Sequence, residues 1–181
     1  MTVMDDLLER GAVPEGYKVE IFDGEVIMTP RSPEQFWTVS EVQAAARAVG
    51  ISRERVLGDV LVRFPGENDA APDLAIVADA AGRHKNSYDC IDVLLVVEVV
   101  SRADDDKDYV RNVAKYGRFG IECYVIADPF KRTCTVMSES HATGYSKVRE
   151  VAYGETVTLS LTTGERVIVD TSEFPVRSAE E

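Results

Sequence analysis

Three cysteines, two histidines and one tryptophan are all that the 181 residues hold of the types most often found in redox, zinc or nucleophile-base sites. Cys90, Cys123 and Cys134 are odd in number and too widely spaced for a disulfide framework or a zinc site, a pattern that fits a reducing compartment. His84 and His141 lie far apart in polar sequence with no serine or cysteine partner at a recognisable spacing, so both read as surface residues. There is no glycine-rich phosphate loop, which argues against a nucleotide-binding enzyme. The longest apolar stretch, Val93 to Val100, is far short of the roughly 20 residues a membrane span requires, and Glu98 interrupts it. The amino-terminal MTVMDDLLER has no basic-then-apolar leader pattern, so the expected location is cytoplasmic. Positive charge is also scarce. With 20 Lys and Arg against 32 Asp and Glu, the net charge is −12, which opposes broad affinity for polyanions unless a local basic patch or a divalent cation intervenes.

What is present is a moderately hydrophobic chain, 45% apolar and free of repeats, of a length suited to one core and one domain over 1–181. The acidic, apolar spacing of the first residues predicts a short helix, and Gly11 to Gly16 a loop. YKVEIFDGEVIMTP predicts two strands joined at Asp23-Gly24, the strongest hairpin signal in the chain. A helix follows from Pro33 to Val49, its stripe running through Phe36, Val39, Val42 and Ala46, with Trp37 a core or interface candidate. RVLGDVLVRF and DLAIVA predict strands, RHKNSYDC a loop, and Ile91 to Ser101 a further strand. The next helix is expected from about Asp104 to Phe119, closed by Gly120, with Tyr109, Tyr116 and Phe119 packing the core. The segments ECYVIAD, TCTVMSE, YSKVREVAY and TVTLSLTTGERVIVD then complete an antiparallel carboxyl-terminal region, and the acidic tail from Pro175 is expected to fray. The fold class is α/β (α+β): a mixed central sheet flanked by helices.

The chemistry concentrates on two carboxylates. Alternation along Ile91–Ser101 puts Asp92, Leu94, Val96, Glu98 and Val100 on one face and Val93, Leu95, Val97 and Val99 on the other. Both faces are apolar near Glu98, so its carboxylate requires a cation, a hydrogen-bond network or a raised pKa. Asp73, after Pro72, opens another apolar strand, and a hairpin-like return would set it beside Glu98. Two carboxylates a few ångströms apart repel unless a cation sits between them, and oxygen-only ligation suits Mg²⁺ or Mn²⁺. Taken singly, Glu98 also reads as half of a structural ion pair and Asp73 as a turn residue beside a proline.

The ordered set VEIFDGEVIMTP, VLGDVLVRF, PDLAIV, VVEVVS, KDYVRNVAKYGRFG and IECYVIADP resembles the Uma-two restriction endonuclease family of the PD-(D/E)XK nuclease superfamily, over roughly Tyr17 to Phe174. The resemblance implies a restriction-endonuclease-like fold, metal ligation by Asp73 and Glu98, and Glu20 as a third acidic member of the site. It also places Asp108 where the family has an aspartate early in the helix. Asp104, Asp105 and Asp106 read instead as helix caps.

Two departures stand out. The superfamily lysine two residues past the glutamate is Val100 here, and the family's helix lysine falls at Asn112. Helical spacing sets Asp108, Arg111, Asn112 and Lys115 on adjoining parts of one face, which makes Lys115 the preferred replacement, with Arg111 second. Gln35 stands where the family often has histidine. Two functions are therefore expected. One is a Mg²⁺- or Mn²⁺-dependent endonuclease acting on nucleic acid, DNA first, and working as a homodimer. The other is a nuclease fold that has lost catalysis and serves as a binding or regulatory module.

Overall fold

The computed structural model describes residues 6–7, 10–12, 14, 17–22, 25–84, 87–103 and 106–178, with the side chains of 20–22 left aside. A six-stranded mixed sheet forms the centre, built from β3 (Val56–Leu57), β5 (Leu74–Val77), β7 (Val93–Val99), β8 (Cys123–Asp128), β9 (Thr133–His141) and β10 (Gly144–Ala152). Their spatial order is β10-β9-β8-β7-β5-β3. Only β7 and β8 run parallel, and helix α2 (Arg111–Arg118) lies in the connection between them, as a parallel pair demands. Two hairpins, β1 (Tyr17–Phe22) with β2 (Glu25–Pro30) and β11 (Thr156–Ser160) with β12 (Arg166–Asp170), and the short parallel pair β4 (Leu61–Arg63) and β6 (Ser87–Asp89), complete the strands. Phe22 faces Glu25 in the first hairpin, and the Asp23-Gly24 turn expected from the sequence lies outside the described residues.

Each face of the sheet has its own apolar layer. On one, Leu95, Val97 and Val99 of β7 pack with Val42 and Ala46 of helix α1 (Pro33–Ala48), with Val157, Leu159, Val167 and Val169 of the last hairpin, and with Phe174. On the other, Val93, Val96 and Val100 meet Val62, Phe64 and the buried rings of Tyr116, Tyr124 and Tyr145. Strict alternation along β7 therefore fails at its start. Ile76 pairs with Leu95 but Val77 with Val93, an irregularity that swings Val93 onto the face of Val96 and leaves Leu94 on the opposite one.

The first long helix starts where Ser32 caps it: the Ser32 hydroxyl accepts from the Gln35 N–H and the Gln35 side chain accepts from the Ser32 N–H, with Pro33 in the first turn. Its buried residues are Gln35, Thr38, Val42 and Ala46, so the apolar stripe expected through Phe36 is out of phase at the amino end. Phe36 and Trp37 are exposed, at 69% and 53%. The second helix is shorter than expected. Residues 107–110 are turns, Val110 caps α2 without a side-chain bond, and Asp104 and Asp105 lie outside the described residues. Gly120 does close it, at φ 77°, while the Ile121 N–H donates to the Tyr116 carbonyl.

Tyr109 and Phe119 pack against the second layer, and Tyr116 is wholly buried in it. The expected 83–90 loop contains β6. Of the amino-terminal helix, only Asp6 and Leu7 are described, as helical. The tail is tied down as far as it is described: the Arg177 N–H donates to the Pro129 carbonyl, and its guanidinium reaches the Ser101 carbonyl and covers the Phe130 ring. Among the described residues no helix is long and apolar enough to cross a membrane.

Candidate active site

β5 and β7 are antiparallel, with Leu74 opposite Val97, which sets Asp73 beside Glu98 one step further along. The Asp73 carboxylate accepts the Val99 N–H at 2.7 Å through Oδ2, so it continues the ladder past the end of β5. Its own N–H points at Glu98 Oε2, 3.4 Å away. Glu98 is 2% exposed and its environment is polar by construction: the Tyr116 hydroxyl donates to Oε1 at 2.8 Å, and the Asn112 amide lies 3.5 Å from the same oxygen. Burial first, and the Glu98 charge second, push the Tyr116 hydroxyl well above the ordinary tyrosine range, so it remains a donor.

The cation between the two carboxylates comes from β1. Lys18 Nζ donates to Asp73 Oδ1 and to Glu98 Oε2, both at 2.9 Å, and its side chain is 7% exposed. Sequence reasoning missed this residue, although a signal was available. In YKVEIF the positions 18 and 20 alternate together, so a sequence reading that put Glu20 in the site implied that Lys18 points the same way. The Glu20 side chain itself lies outside the described residues.

Two further carboxyls surround this centre. Asp108 precedes α2 and accepts the Asn112 amide at 2.8 Å. Burial, and after it the charge of Glu98, raise its pKa to about 7. Asp59, also unforeseen, pairs with Arg31 at 3.0 Å and has φ 52°, and burial raises its pKa to about 6 against the pull of Arg31. The sign for stability follows from the raised value of Asp108. Its contribution is fully present below the unfolded pKa near 4 and is lost as pH rises through about 7. Asp108→Asn preserves the acceptor for Asn112 and removes the ionisation. The variant is expected to gain on the order of a few kcal/mol over the wild type at pH 8 and to match it near pH 4. Urea denaturation of the metal-free proteins at both pH values measures the difference, and an equal gain at the two values would refute it.

Glu98, Asp108 and Lys18 line a cavity of about 840 Å³. Its lining includes six of the chain's 20 Lys and Arg, but only four of its 32 Asp and Glu, among the described residues. Lys18 is one of the six, and the others are Arg102, Lys107, Arg111, Lys115 and Arg118, all from the segment entering and forming α2. A local excess of positive charge thus exists within an acidic protein. Lys115, the lysine favoured from sequence, lines this cavity, where its ammonium donates to the Asn68 carbonyl and lies 4.2 Å from the centre of the Phe64 ring. The cation bonded to both Asp73 and Glu98 is Lys18. Gln35 also lines the cavity, from its place in the helix cap, while Val100 is buried in the apolar layer.

The donor set fits a small hard cation. Among the described residues no group of three His, Cys, Asp or Glu could hold a metal, but Mg²⁺ commonly takes only one or two carboxylates and completes its shell with water and substrate oxygens. Asp73 and Glu98 aim an oxygen each at one point, already filled by a positive charge.

A mixed sheet that carries an aspartate and a glutamate side by side at the ends of neighbouring strands, under a basic cavity, defines a nuclease-like fold. The chain belongs to the family described as "Putative restriction endonuclease" (Uma2), whose model matches residues 4–171. It is similar in structure to a crystal structure described as "a putative nuclease belonging to DUF820" from Anabaena variabilis. The TM-score is 0.59 at 17% identity, over 88% of this chain and 89% of that one, a likeness of fold. No curated protein matches the sequence.

Proposed function

We propose that the protein is a metal-dependent endonuclease that hydrolyses phosphodiester bonds in DNA, with Asp73 and Glu98 holding the metal. The observation that carries this reading is the convergence of Asp73 Oδ1 and Glu98 Oε2, each 2.9 Å from one cationic atom, at the cavity rich in Lys and Arg. A bound Mg²⁺ or Mn²⁺ would polarise a phosphate oxygen and acidify water. The protein's own part is to hold the backbone: Arg102, Lys107 and Arg111 line the route and would meet phosphates, which answers the overall charge of −12. Tyr116, Asn112 and the Val99 N–H fix the two carboxylates in place. Cutting both strands of a duplex calls for two such sites, and a homodimer is the assembly proposed, to be checked by light scattering.

The test is nicking of supercoiled plasmid with Mg²⁺ or Mn²⁺, with an RNA substrate in parallel. Wild type should nick the plasmid, more slowly as salt rises, and Asp73→Ala should be slower by about a thousandfold. Wild type that cuts neither substrate, or Asp73→Ala that cuts at the wild-type rate, would sink the reading. A nuclease fold without catalysis is the second reading, favoured by the ammonium already standing between the carboxylates. Calorimetry decides it, since a site that has exchanged its metal for Lys18 permanently should take up no Mn²⁺.

A further inference from the structure

We infer that Lys18 is the catalytic cation of this site, supplied from β1 in place of the lysine missing at positions 100 and 112, and that in the metal-free protein it occupies the metal's own position. The inference rests on the nuclease reading above and adds one residue and one competition to it. Its basis is geometric. The Lys18 ammonium bridges Asp73 and Glu98 at 2.9 Å each, from a strand 55 and 80 residues away in sequence. A divalent cation held by the same two oxygens would have to take them from that ammonium, so the two compete for Asp73 and Glu98. The displaced ammonium remains tethered to β1, which keeps it within a side chain's reach of the carboxylates.

Charge gives the displacement a purpose. Asp73 and Glu98 against Lys18 sum to −1 without metal. A divalent cation turns this to +1, the complement of one phosphodiester. The ammonium is a donor only, so its work is to hydrogen-bond the attacking water or a non-bridging phosphate oxygen and to offset charge as it builds there. Hydroxide oxygen bonds to phosphorus as the bond from phosphorus to the leaving oxygen breaks. The leaving oxygen takes a proton from solvent, balancing the one that water gave up. Lys18 gives up no proton in this scheme. Asn112, whose amide is 3.5 Å from Glu98 and 2.8 Å from Asp108, marks a second place from which a lysine would reach Glu98.

The test compares wild type, K18M, K18M/N112K and Asp73→Ala as full chains, by plasmid nicking and by Mn²⁺ titration calorimetry. Lys18→Met should nick about a hundredfold more slowly or worse. It should also bind Mn²⁺ more tightly than wild type and gain more in melting temperature from it, because no ammonium competes for the two carboxylates. Structural damage alone would weaken both properties together. Adding Asn112→Lys should recover at least tenfold of the lost rate. Nicking by K18M at the wild-type rate, or a parallel loss of cutting and Mn²⁺ affinity, overturns the assignment. So does failure of K18M/N112K to cut, which is also the deciding variant should K18M not fold. Asp73→Ala separates this failure from that of the parent reading: if it is inactive while K18M cuts normally, the site is a nuclease and Lys18 is not its cation. Wild type that does not cut removes both.

Discussion

Glu98→Gln is expected to fold, to lose Mn²⁺ binding and to nick plasmid at least about a thousandfold more slowly than wild type. The partners of the two carboxylate oxygens decide the outcome. Oε2 faces donors only, Lys18 Nζ and the Asp73 N–H, so the amide nitrogen of a glutamine cannot sit there. Oε1 faces the Tyr116 hydroxyl, which can turn and accept. Glutamine therefore has one favoured orientation, oxygen to Lys18 and nitrogen to Tyr116, which gives up the long Asn112 contact and the hydroxyl's own donor bond at a loss of about 1–2 kcal/mol. The proposed metal would lose one of its two charged ligands, and its affinity should fall beyond the roughly 10- to 100-fold typical when an outer-shell partner is removed. Glu98→Ala is the contrasting case. It strips the Tyr116 hydroxyl and half of the Lys18 bridge of partners inside the core, and a loss of about 3–5 kcal/mol is expected. Urea denaturation beside calorimetry separates the two variants. A glutamine variant that retained Mn²⁺ affinity would show that Glu98 is no ligand.

Glu98 and Asp73 were legible because burial makes them anomalous: a carboxylate inside an eight-residue apolar run and an aspartate opening another have few uses without a cation. Lys18 was passed over because a lone lysine in a hairpin strand reads as solvated: its alternation with Glu20 hinted at its facing, but the pairing with residues 55 and 80 positions away comes from the tertiary fold. The strand and helix order was readable from periodicity, but its phase was not. In α1 the buried positions include Gln35, committed to the cap, and Thr38, 1% exposed, so the true stripe is partly polar and hydrophobicity pointed one residue along, to Phe36 and Trp37. In β7 the misread face of Val93 came from a register shift against β5, which no pattern within β7 encodes. The start of α2 was placed early because an acidic run imitates a cap, whereas the chain turns through 107–110 and carries Asp108 into the site. The basic lining of the cavity was hidden for a different reason. Five of its six cations lie within 102–118, but the whole-chain charge outweighs them.

Those five cations and Tyr116 depend on where α2 sits, and a single glycine sets that position. Gly117→Ala is expected to destabilise the protein by about 3 kcal/mol or more, although alanine in a helix interior ordinarily gains up to about 1 kcal/mol over glycine. A Cβ at position 117 would stand 2.3 Å from the Gly144 carbonyl oxygen, 2.6 Å from its Cα and 2.7 Å from its carbonyl carbon. All three are backbone atoms of β10, so no side chain can move aside, and the helix must lift off the sheet. Gly144 takes part in the same close approach, at φ 149° with an added Cβ 3.2 Å from Val113. A lifted helix would carry the Tyr116 hydroxyl away from Glu98 and Asn112 away from Asp108, so nicking should fall along with the urea midpoint. Gly120→Ala is the control at the end of the same helix. Its Cβ would meet nothing within 4 Å, and the positive φ alone should cost about 1–2 kcal/mol. A smaller loss at 117 than at 120 would mean that α2 can shift away from β10 at little expense, and the close contact at Gly117 could not then be what positions Tyr116 against Glu98.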